Sequence, residues 1–235
     1  MSNLSNKTKT IQRAVGVAAD GVYGENTANA IISHLRPDTD AGQPMEMKEP
    51  EKFFSSIRSM FSGTLETSQV DGINAKLSSF GKACWPISWA SYAMATSYHE
   101  TAKTMQPVEE AYWLSDDWRK QNLRYYPWHG RGDVQLTWEY NYKKADEKLG
   151  LSGSLIANPE RALEPKISAD VMVYGMQEGW FTNHSLGQHL PDDLGTQEQF
   201  ESARRIINGT DKKSEIAGIA KQFQDAFIAG KWRSK

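Results

Sequence analysis

Residues Tyr98 to Tyr142 read YHETAKTMQPVEEAYWLSDDWRKQNLRYYPWHGRGDVQLTWEYNY. The stretch holds a carboxylate at Glu100 and an adjacent pair at Glu109 and Glu110. Tyr112, Trp113, Trp118, Tyr125, Tyr126, Trp128, Trp138, Tyr140 and Tyr142 lie among and after them, with the amides Gln135 and Asn141. A purely structural helix has little reason to collect this set. Aromatic faces stack on the apolar faces of sugar rings, amides and hydroxyls hydrogen-bond the substituents, and two carboxylates supply an acid and a base. Together they form the equipment of a glycosidase.

Working outward, the segment before Glu100 is helical by period. LETSQVDGINAKLSSFGKA begins at a Thr67 or Ser68 cap and places Val70, Ile73, Leu77 and Phe80 on one face. WPISWASYAMATSYHETA forms a second, very apolar helix with Ile87, Ala90, Ser91, Met94 and Ala95 toward the core and Glu100 at its C-terminal end. There the helix dipole disfavours negative charge and favours the protonated form a general acid needs. VEEAYWLSDDWRK reads as a short helix or loop, VQLTW as a short buried strand, and NYKKADEKLG as the helix after it. Further on come a turn started by Pro159, a helix carrying Ile167, Val171, Val173, Tyr174 and Met176, and a closing helix with Ile216, Ile219, Ala220, Phe223 and Phe227 inward. The tail KWRSK reads as a solvated terminus. These elements predict a mainly α fold for residues 65–235.

Ahead of them, residues 7–36 predict two short helices joined at Asp20-Gly21, with Gly24 ending the turn and Asn26 or Thr27 capping the second helix. Apolar residues Ile11, Val15, Val17, Val22, Ala28, Ile31, Ile32 and Leu35 give this small unit its hydrophobic face. Residues 37–64 read as a linker: PDTDAGQPMEMKEP has no apolar period, and EKFFSSIRSMFSG adds an amphipathic helix. Its stripe of Phe53, Phe54, Ile57, Met60 and Phe61 suits packing on its own protein better than a membrane surface, since Lys52 and Arg58 are its only bases.

The whole chain of 235 residues carries 27 basic and 29 acidic side chains, for a net charge of -2, so no basic field marks a nucleic-acid binder. Cys84, the single cysteine, sits in a hydrophobic run and reads as an inert core residue. The polar start MSNLSNKTKT lacks a signal-peptide core, and no run reaches the length of a membrane span. A cytosolic protein without stable membrane insertion is expected. Metal is not expected: a zinc-protease helix would need a histidine four residues after His99, where Lys103 stands.

YHETA, EEAYWLS, YYPWHGRGDVQLTWEYNY, NPERAL and RIINGTDK, in that order, resemble the glycoside hydrolase family 19 catalytic domain, in particular its bacteriophage endolysin branch. GVAADGVYGENTANAI in residues 1–36 is similar to a peptidoglycan-binding module, although it is shorter than the usual unit, and a helical cap on the rest of the chain is the other reading. The resemblance implies a lysozyme-like, two-lobed helical catalytic domain over 65–235. It implies Glu100 as general acid, Glu110 as general base and Thr137 as the hydroxyl that helps hold the attacking water, although counting residues without an insertion would choose Glu109 as base. Gln135, Tyr140, Asn141 and Asn208 match cleft-lining positions. Arg131 matches a family arginine that would either bind substrate or pair with carboxylates. The implied chemistry is inversion, with carboxylates about 6.5 to 9.5 Å apart and a water between. The implied protein is an endolysin, a muramidase cutting the β-1,4 bonds of peptidoglycan. It would use no cofactor, act as a monomer, and wait in the host cytoplasm for release to the wall. The missing chitinase cysteines and the Pro127-Trp128-His129 insertion point away from chitin. A chitinase and a non-catalytic wall-binding protein are the alternatives.

Overall fold

Twelve consecutive side chains, Ile87 to Tyr98, are buried on one helix. An apolar surface on every side suits a helix surrounded by protein, and this helix is the axis of the larger of two units. The computed structural model describes residues 3–14, 18–24, 27 and 44–234. The chain divides into a unit of residues 1–43 and one of residues 44–235.

In the first unit, α1 spans Asn3–Ala14. A polar side chain of this helix anchors the turn at Asp20-Gly21. The Gln12 amide nitrogen donates to Asp20 Oδ1 at 2.7 Å, Val22 O at 3.0 Å and Thr27 Oγ1 at 2.9 Å, and its oxygen accepts from Gly21 N at 2.9 Å. Asp20 also accepts from Val22 N at 2.8 Å, and Gly21 takes φ +81°. The expected turn is therefore present, but Ile11 and Val22 are exposed rather than part of an apolar face. The other apolar residues named for this unit, and the stretch expected to form its second helix apart from Thr27, lie outside the described residues.

The second unit is mainly helical. Its elements are β1 (Met45–Met47), α2 (Pro50–Ile57), α3 (Thr67–Lys82), α4 (Ile87–Glu100), β2 (Val108–Glu109), α5 (Asp116–Asn122), β3 (Arg131–Gly132) and α6 (Glu139–Lys148). Next come α7 (Ser154–Ala157), α8 (Pro165–Glu178), α9 (Leu186–His189), α10 (Gln197–Ala203), α11 (Lys213–Ala229) and β4 (Trp232–Ser234), with 3-10 turns at Arg58–Phe61, Pro159–Leu163 and Arg204–Ile206. Helix α11 packs along α4 and also meets α2 and α10, while α3 packs on α8. Phe223 and Phe227 of α11 are buried, with the Phe53 ring of α2 5.1 Å from Phe227.

The stretch 44–64, read from composition as part of a linker, belongs to this unit. Phe53 and Ile57 have no exposed surface, and Met45, Glu46 and Met47 pair antiparallel with Ser234, Arg233 and Trp232. The apolar stripe of α2 thus covers its own core. The same pairing corrects the reading of KWRSK as a solvated tail: Trp232 is buried and its indole N–H donates to Trp85 O at 2.9 Å.

Two further expectations change. Cys84 is exposed, at φ +53° in the turn between α3 and α4, because that turn passes over the surface while Trp85 goes inward. VQLTW is mostly a turn, since Gly132 at φ +90° and Gln135 at φ +53° reverse the chain, so that Arg131 and Leu136 bridge each other. At Gly132 an added Cβ would also stand 2.9 Å from Ser168 Oγ. The α8 residues Ile167, Val171, Val173 and Met176 are buried as expected, with Tyr174 packed at the margin.

Candidate active site

Glu100 is the last residue of α4. The buried length of the helix holds its backbone, and its Oε1 accepts from Arg204 Nη1 at 2.9 Å. Arg204 is 2% exposed and also donates through Nε to Asp211 O at 3.0 Å, so a buried cation stands against the carboxylate. That contact opposes the unfavourable dipole end on which Glu100 sits. Tyr92, two turns earlier, is close enough to feel both Arg204 and Glu100, and burial above all pushes its phenol up.

Glu109 and Glu110, adjacent in sequence, have opposite surroundings. Glu109 Oε1 meets His129 Nε2 at 2.9 Å and Arg131 Nε at 3.1 Å, and its Oε2 meets Arg119 Nη2 at 3.2 Å. Three basic side chains therefore occupy it. Burial, the largest influence on His129, holds that imidazole below its ordinary value even beside Glu109, so a neutral ring donating Nε2–H is the consistent arrangement. Glu110 faces no cation within ion-pair distance among the described residues. Its Oε1 accepts from Tyr125 Oη at 2.7 Å and its Oε2 from Gly130 N at 2.8 Å, while its own N–H donates to Gly130 O at 2.8 Å. Burial first, then the Glu110 carboxylate, pushes the Tyr125 phenol up to about 12, so it keeps its proton and donates.

The pairing of β2 with β3 carries this arrangement: Val108 lies opposite Gly132 and Glu109 opposite Arg131. Beyond β3, Gln135 donates to Val108 O at 3.1 Å and Gly132 O at 3.2 Å, Thr137 Oγ1 donates to Gln135 O at 2.8 Å, and Asn141 donates to Thr137 O at 3.0 Å. Gln135 Oε1 and Glu110 Oε2 lie 2.6 Å and 3.1 Å from the point where a Cβ would stand on Gly130. The carboxylate and the amide are thus neighbours, and a side chain at position 130 would displace the amide and crowd the carboxylate. Ala111, Gln135 and Trp138 take φ of 52°, 53° and 75°, a cluster of left-handed non-glycine residues of the kind found where function fixes the backbone.

These segments meet at an open cleft of about 350 Å³ lined by Glu100, Gln135, Thr137, Trp138, Tyr140 and Asn141, with Val134, Phe181, Ile207 and Asn208 completing its walls. Of the eight residues expected from the sequence, six therefore line one cavity. Glu110 is not among the lining residues; its carboxylate neighbours the side chain of Gln135, which is. Arg131 is elsewhere: it is 4% exposed, held by Glu109 and by Pro127 O at 2.8 Å, so it braces the loop. A larger hollow of about 820 Å³, between α2 and the start of α3, contains Glu51 and Arg58 but no second carboxylate. Size does not select the site. The chemistry does.

Sequence reasoning missed Arg204, Phe181 and Ile207 in this cleft and its support. The only available signal for Arg204 was a basic residue within the apolar spacing of Phe200, Ala203 and Ile206, all buried. Among the described residues no group of three or more His, Cys, Asp or Glu side chains is arranged to hold a metal ion, and no helix is long and apolar enough to cross a membrane.

No family model matches the chain. Chitinase 11 of Oryza sativa subsp. japonica is 29% identical over 128 residues, covering 44% of this chain and 47% of the rice protein, so the chain spans about half the length of that curated relative. Two solved structures are similar: chitinase C from Streptomyces griseus HUT6037, at 16% identity and TM-score 0.45 over 87% of this chain and 76% of the other, and a mutant of chitinase C, at 15% identity and TM-score 0.40 over 87% and 92%. The sequence similarity to chitinases is weak.

Proposed function

We propose that the protein is a glycoside hydrolase that cuts the β-1,4 bonds of bacterial peptidoglycan by inversion. The observation that carries the reading is the pair of carboxylates in contrasting settings, Glu100 lining the cleft against buried Arg204, and Glu110 beside the cleft residue Gln135, against the Tyr125 hydroxyl and the Gly130 amide. In this reading Glu100 protonates the glycosidic oxygen as the bond to the anomeric carbon breaks. Glu110 takes a proton from the attacking water. Thr137, whose hydroxyl proton is directed to Gln135 O, presents oxygen lone pairs that can accept the water's second proton as a hydrogen bond. Gln135, Tyr140, Asn141 and Asn208 contact the sugar substituents, and the exposed Tyr140 ring offers an apolar face. Because two arginines and the His129 ring occupy Glu109, we assign the base to Glu110.

The muramidase and endolysin assignment draws on the resemblance of residues 65–235 and of the segment GVAADGVYGENTANAI to lytic enzymes and their wall-binding modules. Release from the host cytoplasm to the wall belongs to the same reading. Similarity to rice Chitinase 11 favours a second reading, hydrolysis of N-acetylglucosamine polymers. Digestion of purified peptidoglycan and of chitin oligomers by the wild-type chain and by Glu100→Gln, with reduction and mass spectrometry, separates them. Reduced N-acetylmuramic acid ends from wild type alone support the muramidase. Reduced N-acetylglucosamine ends from peptidoglycan keep the glycosidase and change the bond, activity on chitin oligomers alone favours the chitinase, and equal activity of the variant refutes an acid role for Glu100.

A further inference from the structure

Between Glu100 and Glu110 the chain makes a turn that its own residues do not favour. Ala102, Lys103 and Met105 take φ of 49°, 70° and 56°, in the left-handed region where side chains crowd the backbone. Such a turn persists only where its surroundings over-determine it. Part of that support is the end of α4, where Lys103 N donates to Tyr98 O at 2.8 Å and Met105 N to Thr101 Oγ1 at 3.0 Å, and part is α3. Gln69 donates to Lys103 O at 3.0 Å, Gln106 donates to Ser68 O, and Gly72 lies so close that an added Cβ would be 1.9 Å from Met105 O. Through that gap the Lys76 ammonium donates to Met105 O at 2.9 Å.

The same ammonium meets Asp133 Oδ1 at 2.7 Å, with Lys76 1% and Asp133 0% exposed. Asp133 in turn accepts from Ser97 Oγ at 2.6 Å and Ser168 Oγ at 2.5 Å, and its N–H donates to Ser168 Oγ at 2.8 Å. The pair therefore joins α3, α4, the turn at Met105, the reversal at Asp133 and, through Ser168, α8. Ser97 is one helical turn before Glu100 on α4, Met105 lies in the turn leading to Glu110, and Asp133 begins the reversal that carries Gln135 and Thr137. Neither charge touches the cleft. Burying an ion pair is costly and seldom favourable against an apolar pair of similar volume, so stability alone is a weak reason for it.

We infer that Lys76 and Asp133 are positioning residues, a buried ionic clamp that sets the two carboxylates and Thr137 in register with one another. The catalytic side of this inference rests on the function proposed above, whereas the mechanical side does not. The charge pair fixes directions that an apolar pair would leave loose, because the ammonium and the carboxylate each hold several partners at hydrogen-bond geometry. A misplacement near 1 Å at reacting groups costs on the order of 100-fold in rate.

The test is the double variant Lys76→Met/Asp133→Asn in the full chain, which removes both charges with little change in volume and leaves no lone buried ion. Amide hydrogen exchange is read first. Faster exchange confined to residues 101–110 and 131–138, with α11 as protected as in wild type, is expected. Unchanged exchange in those two segments overturns the clamp, whatever the activity. For the catalytic side, kcat on peptidoglycan is expected to fall about 100-fold with KM altered less than about threefold. A loss that tracks the melting temperature, or kcat within about twofold of wild type, refutes the positioning role. Gly72→Ala, which pushes on Met105 O and removes neither charge, should loosen the same two segments; protection there equal to wild type also counts against the clamp. A wild-type chain inactive on every glycan refutes the proposed function, and the exchange result still decides the clamp.

Discussion

The two carboxylates assigned to catalysis rest on different kinds of support. Glu100 ends a helix buried along twelve consecutive residues, and one guanidinium orients its side chain. Glu110 stands just past a two-residue strand, with left-handed residues on both sides at Met105 and Ala111, and side chain to backbone hydrogen bonds hold its neighbourhood. A helix takes its rigidity from packing. A loop must take it from polar contacts that each fix a direction. The difference teaches that the loop around Glu110 is where small changes will be felt, whereas the end of the helix at Glu100 should tolerate all but the loss of its functional groups.

Predictions that would break or sharpen this contrast begin with the carboxylates themselves. Glu100→Gln should lower kcat by about 1,000-fold or more with the fold intact, which is in the range for loss of a general acid; retention of more than a tenth of the activity would remove Glu100 from the mechanism. Glu110→Gln should cost about 100- to 1,000-fold. A larger loss in Glu109→Gln than in Glu110→Gln, at equal melting temperature, would reverse the base assignment.

Glu109→Gln is expected to act on stability instead. Arg119, Arg131 and His129 would lose a shared and mostly buried partner, at a cost of about 2–3 kcal/mol once partial solvent access is allowed for, to be read from urea unfolding. Tyr125→Phe should be milder, lowering kcat about fivefold, as for one hydrogen bond worth about 1 kcal/mol.

The smallest effect concerns pH. His129 has its folded pKa depressed from 6.5 by burial, so the unfolded chain takes up the proton first. Its contribution to stability is full above about 6.5 and lost as pH falls toward the lower folded value. Unfolding free energies of wild type at pH 7.5 and 5.5 should therefore differ by more than those of His129→Gln. An equal difference would show that His129 titrates alike in both states.

Much of the site was legible because its residue types sit in short runs. HETA, GRGDVQLTWEYN and INGT each carry a group that reaches the cleft, and the periods of α4, α8 and α11 placed most of the core. Three things were not legible. Arg204 lies 104 positions from Glu100, and no local spacing announces that contact. The roles of Glu109 and Glu110 depend on where His129, Arg131 and Tyr125 come to lie after the β2–β3 pairing. The segment 44–64 looks like a linker until β4 pairs with β1 and α11 covers α2.

What the sequence by itself determined is the helical character of the larger unit, the inward faces of its main helices, and the assortment of acids, amides and aromatics between Tyr98 and Tyr142. Helical period and residue chemistry are local properties, readable within a few turns. Only the tertiary structure decided which carboxylate the cations occupy, which arginine meets Glu100, and which buried lysine spans the segments between Glu100 and Glu110. Each of those is a contact between residues distant in sequence. Its energy comes from burial and hydrogen-bond direction, neither of which exists until the chain has closed.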